Sequence, residues 1–312
     1  IPFSTVSTSG AVLIHTGRFS VIAAVDVCVA LFRLVVVLGL LSTGQGVAGV
    51  IIGHASASLV HGVILLTIAY MTATKQWSGH WLVAPFSPLR GIRREIGRFM
   101  LYDGGGSMLG VVGKRLDVVV LGLVRDAEEA GYYRLAKSFA ALPTYVAGPL
   151  GTVTYAKLTK MWGDGKWPEM WRFVKNGIVR AGLPLALVTL AVIPVLRPIF
   201  SLTVGQEFEE AVPIASVLFV GAALPLLLFP FAPLILAWGQ VKARFNLKAV
   251  ESLLLVLAMF VFVPLYGAMG LAWVMTGRLG FGSVAALAWS LVWGRQKARA
   301  ALDQSLKLQH ST

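Results

Sequence analysis

KRLDVVVLGLVRDAEEAGYYRLAK, residues 114–137, lies between long apolar runs, and its reading decides the fold. A soluble protein would place such a stretch on its surface. Here the flanking runs are long enough to cross a bilayer, which puts Lys114, Arg115, Asp117, Arg134 and Lys137 at or near membrane depth, where charges are kept only if they face protein, water or a substrate.

Composition agrees with a membrane setting. The chain is 57% hydrophobic and 13% charged, against roughly 45–50% and about 25% in soluble domains. Its apolar residues fall in runs near the roughly 20 residues that a helix needs to cross about 30 Å of hydrocarbon. Eight are read, at 20–42, 47–73, 100–123, 131–155, 177–200, 211–237, 247–266 and 268–293. The expected fold class is all-α, a polytopic membrane helical bundle with about eight visible transmembrane helices. Residue 1 is Ile, and IPFSTVSTSGAV (1–12) reads as the end of an apolar segment entered partway, so an N-terminally truncated chain is expected.

The net charge of +13 does not point to nucleic acid, because the basic residues alternate from loop to loop. One set of connections holds Arg18, then Lys75, Arg90, Arg93, Arg94 and Arg98, then Lys157, Lys160, Lys166, Arg172 and Lys175, then Lys242, Arg244 and Lys248, and a tail with Arg295, Lys297, Arg299 and Lys307. The intervening set holds Arg125 and Arg197 among Asp126, Glu128, Glu129, Glu207, Glu209 and Glu210. By the positive-inside rule the first set, and with it the C-terminus, is cytoplasmic.

Two segments are too polar to span. Residues 76–98 carry two Trp, two Pro and four Arg, and from Ser87 onward suit an amphipathic helix on an anionic leaflet. Residues 157–175 turn at Gly163–Asp164–Gly165 and offer Trp162, Trp167 and Trp171 as headgroup anchors. Pro143, Pro149, Pro184, Pro194, Pro225 and Pro230 interrupt the helical ladder, and Gly104–Gly106 make a pliable stretch. Such interruptions suit a protein that rocks between two openings, although static membrane helices carry kinks too. Cys28 is the single cysteine and reads as a small apolar filler.

The order RLDVVVLG, a short acidic loop, then AGYYRLAKSFAALP resembles the seventh and eighth helices of the polysaccharide-biosynthesis flippases. These are the O-antigen and exopolysaccharide branch of the multidrug/oligosaccharidyl-lipid/polysaccharide exporter superfamily. The residues that carry the likeness are Asp117, Leu121, Gly122, Gly131, Tyr132, Tyr133 and Ala136. GAVLIHTGRF (10–19), VGQEFEEAVPI (204–214) and YGAMGLAWV (266–274) resemble the starts of the fifth, tenth and twelfth helices.

The resemblance implies two six-helix lobes around a cavity that opens alternately to each side, with this chain supplying helices 5–12. Residues 1–75 would end the N-terminal lobe, 76–98 would be a cytoplasmic amphipathic interlobe linker, 99–293 the C-terminal lobe of six transmembrane helices, and 294–312 a cytoplasmic basic tail. It also implies the cargo, an undecaprenyl pyrophosphate-linked sugar moved across the bacterial or archaeal cytoplasmic membrane. The partners would be membrane lipids, the lipid-linked glycan and a coupling ion, H+ or Na+. A cation-coupled drug antiporter of the same superfamily and a membrane glycosyltransferase or ligase are the alternatives.

Cations outnumber acids within the spans, which fits an anionic cargo, and guanidinium groups offer forked donors to phosphate. The cavity candidates are Arg33, Arg115, Arg134, Lys137 and Arg278. Each has a plainer role: Arg134 and Lys137 could snorkel to water, and Arg278 could stitch helices together. Arg33 and Arg278 lie mid-span and are expected to face the bundle interior, Arg33 with Asp26 two turns earlier on the same face. Asp117 is expected to pair with Lys114 at i, i+3 as a structural partner. His54 and His61, seven apart with Ser58 between them, suit a proton relay or interhelical hydrogen bonds. There is no phosphate-cradling loop, no metal-spaced cluster and no nucleophile with a base, so neither catalysis nor a metal or other cofactor is expected.

Overall fold

The computed structural model describes residues 2–77 and 91–309, and every element in it is helical. The chain divides into two compact units, Ile1–Gly91 and Ile92–Thr312.

The first unit holds α1 (Pro2–His15), α2 (Phe19–Ser42) and α3 (Gly46–Trp77). Small residues on α3 set its packing: Gly49, Gly53 and Ala57 form a buried stripe at four-residue spacing. A β-carbon at Gly53 would lie 2.6 Å from Val37 Cγ2, and one at Gly49 2.9 Å from Leu40 Cβ, so α2 and α3 approach backbone to backbone. Between helices in lipid, where no hydrophobic force drives association, that close approach supplies the attraction. Leu13, Val25, Leu65 and Ala69 close the interior of this unit.

The second unit runs through α4 (Arg93–Val124), α5 (Ala127–Gly163), α6 (Trp167–Gly177), α7 (Leu183–Ala191), α8 (Leu196–Thr203), α9 (Ala211–Leu227), α10 (Phe231–Ala237) and α11 (Val241–Gln309). A π-helical turn, Ile178–Gly182, joins α6 to α7 and a 3-10 turn holds Pro194 before α8. Gly182 lies against the carbonyls of α9, where a β-carbon would be 2.5 Å from Leu227 O. The prolines act unequally. Pro143 and Pro149 sit inside a continuous α5, whereas the α9–α10 pair bends by 42° at the break that contains Pro230.

α11 is two helices joined at Gly267, whose φ of 56° and ψ of −138° reverse the chain. The halves then pack on each other: Leu255, Met259 and Val263 share a core with Leu271, Ala272 and Met275. The second half also meets α9, where Thr276 Oγ1 donates to Val217 O at 2.9 Å and Gly221 leaves the space that this contact needs.

Helix occupies each of the eight apolar runs. By length and composition, four helices can cross a membrane, namely Phe19–Ser42, Gly46–Trp77, Trp167–Thr203 and Val241–Gly294, or five if α9 and α10 are one bent span. α4 and α5 are outside that set. The molecule is an all-α, multi-pass membrane bundle.

The segment read as an interlobe linker, 76–98, falls partly outside the described residues, which end at Trp77 and resume at Gly91. α3 continues to Trp77 and α4 begins at Arg93, so Arg93, Arg94 and Arg98 belong to a long helix. The amphipathic stretch from Ser87 to Arg90 lies outside the described residues, as does Ser78. Beyond 293, helix continues to Gln309.

Trp162, Trp167 and Trp171 are not separate anchors. They pack with Trp238, Trp289 and Trp293, with ring centroids 4.5 Å apart for Trp162–Trp167 and 4.6 Å for Trp238–Trp293. This aromatic cluster joins α5, α6, α10 and the end of α11 at one end of the unit. The acidic 125–129 turn, Glu210 and the Gly267 break meet at the other.

Candidate functional site

α11 carries Arg244, Lys248 and Glu251 at i, i+4 and i+7, a spacing that sets all three on one face of a helix. That face looks at α4, where Gly105 leaves room for the Phe245 ring: a β-carbon at Gly105 would be 3.2 Å from Phe245 Cε2. Arg244 Nη1 donates to Asp103 Oδ1 on α4 at 2.8 Å. Lys248 Nζ donates to Glu251 Oε2 at 2.6 Å, and Arg278 Nη1, from the returning half of α11, lies 3.3 Å from Glu251 Oε1. Gly282 makes room for that carboxylate, since a β-carbon there would be 2.9 Å from Glu251 Oε2.

These five charged groups line a cavity of about 360 Å³ between α4 and α11. Three are cations and two are carboxylates, so the cavity holds one positive charge in excess. Glu251 is 3% exposed and the Arg278 side chain 7%. At such burial, charges need partners, and Arg278 Nε has none. The arrangement can receive an oxyanion without importing a further cation.

A second charged group bolts α4 to α5. Asp117 is fully buried and accepts from Tyr133 Oη at 3.0 Å, from Lys137 Nζ, and from the Val118 amide at 2.7 Å. The expected pairing of Asp117 with Lys114 at i, i+3 falls on a side chain outside the described residues, and the carboxylate is engaged from the neighbouring helix as well as locally. Tyr133 and Lys137 reach it together because they stand one turn apart on the α5 face that packs on α4. Lys137, read as a cavity residue, is committed to this network.

The other candidates are dispersed. Arg115 and Arg134 are exposed, and among the described residues neither has an acidic partner within ion-pair reach. Arg33 is exposed in the first unit and borders a shallow pocket of about 430 Å³ with Val27, Leu34, Val37 and His54. Asp26 is engaged by His61, whose Nε2 lies 2.9 Å from Asp26 Oδ1. His54 Nδ1 contacts Val50 O of its own helix at 3.0 Å, so the two histidines have separate partners.

Sequence reasoning missed the α4–α5 turn. Asp126 caps α5 by accepting from the Glu129 amide at 2.7 Å, a capping-box spacing that the sequence displays. Glu129 does not reach back along its own helix. Its Oε1 accepts from the Ala268 amide at 2.6 Å, while Arg125 Nη2 donates to Pro264 O at 2.8 Å. The broken ladder of α11 is thus satisfied from both sides of Gly267. The visible signal was Pro264 followed by Gly267, a helix break whose orphaned groups require partners.

Among the described residues no three His, Cys, Asp or Glu side chains are gathered to hold a metal ion. Of the cavity residues, Asp103 lies in the stretch that also matches a known family, and Arg244, Lys248, Glu251 and Arg278 follow it in sequence. The chain is 25% identical over 199 residues to the teichuronic acid biosynthesis protein TuaB of Bacillus subtilis, covering 62% of this chain and 40% of that protein. It therefore spans about two-fifths of the relative's length. Residues 4–162, which include α2, α3 and the Asp117–Tyr133–Lys137 network, match the family model described as polysaccharide biosynthesis protein, and the chain belongs to that family.

Proposed function

We propose that the whole protein moves a lipid-linked sugar, carried on undecaprenyl diphosphate, from the inner to the outer leaflet of the cytoplasmic membrane by alternating access. In this reading the first unit ends one lobe and the second unit is the other lobe. The Lys- and Arg-rich connections and the C-terminus face the cytoplasm. A relative named for teichuronic acid biosynthesis supports a polysaccharide precursor as cargo.

The observation that carries the reading is the cavity of Arg244, Lys248 and Arg278 between α4 and α11, with its net positive charge. A diphosphate crossing hydrocarbon needs counter-charge along its path, and an intramembrane cation that lines a cavity is the side chain that supplies it. A cation antiporter of the same superfamily would want uncommitted carboxylates. Asp103 and Glu251 are both engaged, by Arg244 and by Lys248 with Arg278.

The test is translocation of a fluorescent lipid-linked sugar by the full-length protein in proteoliposomes, read by accessibility of the headgroup from outside. Arg244→Gln with Lys248→Gln is expected to slow it at least tenfold at equal reconstitution. Unchanged rates in that double variant, or no translocation by the wild type, refute the reading.

A further inference from the structure

The second unit holds two separate hydrophobic cores. Tyr133, Ala136, Leu196, Phe200, Ile214 and Leu271 belong to the one at the end with the Gly267 break. Leu158, Met170, Val174, Leu234 and Ala286 belong to the other, which the tryptophans close. α5, the Trp167–Thr203 span and the second half of α11 run through both, whereas α9 enters only the first and α10 only the second. Among the described residues α4 contributes to the first core alone, through Val118, Val120 and Leu121.

The helices that connect the cores are interrupted between them. Along the Trp167–Thr203 span, the π-turn Ile178–Gly182 separates Val174 of the second core from Leu196 of the first. Between α9 and α10 lies the 42° bend. These two breaks touch. A β-carbon on Gly182 would be 2.5 Å from Leu227 O and 3.1 Å from Leu226 O, and one on Gly177 would be 3.5 Å from Pro230 Cγ. Pro230 has no N–H to give Leu226 O, and the Phe231 amide donates to Leu228 O at 3.2 Å, so the ladder of α9 stops where it meets the π-turn. Pro143 and Pro149 fall in the corresponding interval of α5, between Ala140 and Leu158. The second half of α11 is loosely packed there: a β-carbon at Gly277 meets nothing within 4 Å, and one at Gly280 meets only Leu224 Cδ2, at 3.9 Å. The first half crosses the interval, between Leu247 and Leu255, on Lys248 and Glu251 rather than on residues of either core.

Two close-packed cores resist deformation, and an interval of broken helices between them does not. We infer that the tryptophan block, made of α6, α10 and the ends of α5 and α11, swings as one body about the interval that holds the π-turn and Pro230, a hinge built into the fold. α4 is the fixed post, a single helix from Arg93 to Val124 held in the first core. The tie between post and block is at the start of α11, three residues beyond the end of α10. There Arg244 Nη1 donates to Asp103 Oδ1 at 2.8 Å, and the Tyr102 and Phe245 ring centroids are 5.5 Å apart. The two charged side chains are 32% and 34% exposed, and an ion pair with that much access to solvent is weak enough to open. Arg244–Asp103 is therefore the latch of the hinge. A tilt of about 20°, the size of an ordinary kink, displaces Lys166, fourteen residues from Arg180 in the π-turn, by roughly 7 Å at the rise of a helix. The device rests on packing and not on the cargo, so it goes beyond the translocation reading and does not depend on it.

The test is the distance between spin labels on cysteines placed at Phe99 of α4 and Lys166 before α6, both exposed. It is read by double electron–electron resonance on the full-length protein in nanodiscs, in a cysteine-free background. Asp103→Asn opens the latch and is expected to add a population displaced by roughly 7 Å. Pro230→Ala returns an amide donor to the end of α9 and is expected to suppress that population in the double variant. A second pair, at Leu123 and Leu202 on the exposed surfaces of α4 and α8, is expected to keep one distance throughout. An unchanged Phe99–Lys166 distribution in Asp103→Asn, an equal displacement of the Leu123–Leu202 pair, or a displaced population that survives Pro230→Ala overturns the inference. Where Pro230→Ala does not fold, the two label pairs in Asp103→Asn decide alone. The readout is a distance, so a protein that swings without translocating refutes only the transport reading, and one that translocates with an unchanged distribution in Asp103→Asn refutes only the hinge.

Discussion

Replacing Gly267 with alanine tests whether the α4–α5 turn holds the break in α11. The backbone there has φ 56° and ψ −138°, a region that residues with a β-carbon enter only under strain; the strain amounts to about 1–3 kcal/mol. A β-carbon would also stand 1.9 Å from Glu129 Oε1 and 2.8 Å from its Cδ. The carboxylate must leave, and the 2.6 Å bond from the Ala268 amide goes with it. A hydrogen bond to a charged group contributes about 1.5–3 kcal/mol, so Gly267→Ala is expected to destabilise by about 2.5–6 kcal/mol in all. Glu129→Ala alone removes only the bond, about 1.5–3 kcal/mol. The double variant loses that bond once and has no clash, so it should be no less stable than Gly267→Ala by itself. Unfolding of the purified protein in mixed micelles, followed by fluorescence of the tryptophan cluster, gives the four values of the cycle. Additive losses, or a Gly267→Ala protein as stable as the wild type, would refute the proposed hold of Glu129 on the break.

Two further perturbations address the α4–α5 bolt and the orientation. Asp117→Asn should destabilise by about 3 kcal/mol, the low end for breaking a buried pair, because the Lys137 side chain is one-third exposed while Asp117 is not exposed at all. Tyr133→Phe should cost about 1–2 kcal/mol, and a loss below half a kilocalorie for Asp117→Asn in the same micelle titration counts against the network. In a Cys28→Ala background, a cysteine at Gln206 should react with an impermeant maleimide added to intact cells and one at Asp164 should not. Reaction at Asp164 from outside reverses the orientation.

What the sequence disclosed follows from the range of each interaction. Helix positions were legible because a membrane helix is specified by its own roughly 20 apolar residues and satisfies its backbone internally. The reversal near Gly267 was legible for a similar local reason, as YGAMG separates two such runs. Charge partners were not. The i, i+3 rule looks only along one helix, whereas Asp117 is held by Lys137, twenty residues on and on another helix. Arg244 reaches Asp103 across 141 residues, and Arg125 reaches Pro264 across 139.

A charge inside a bundle takes the strongest partner that packing brings to it, and packing of membrane helices is decided by where small residues allow close approach. Gly105 and Gly106 against Phe245, and Gly282 against Glu251, are those places here. Gly105, beside Asp103, gives the Phe245 ring its place next to Arg244. The face Arg244–Lys248–Glu251 was visible as a helical triplet, yet the loop assignment of its first two residues hid it. With α11 beginning at Val241, all three lie within one helix, and the cationic cavity follows from that shift of a few residues.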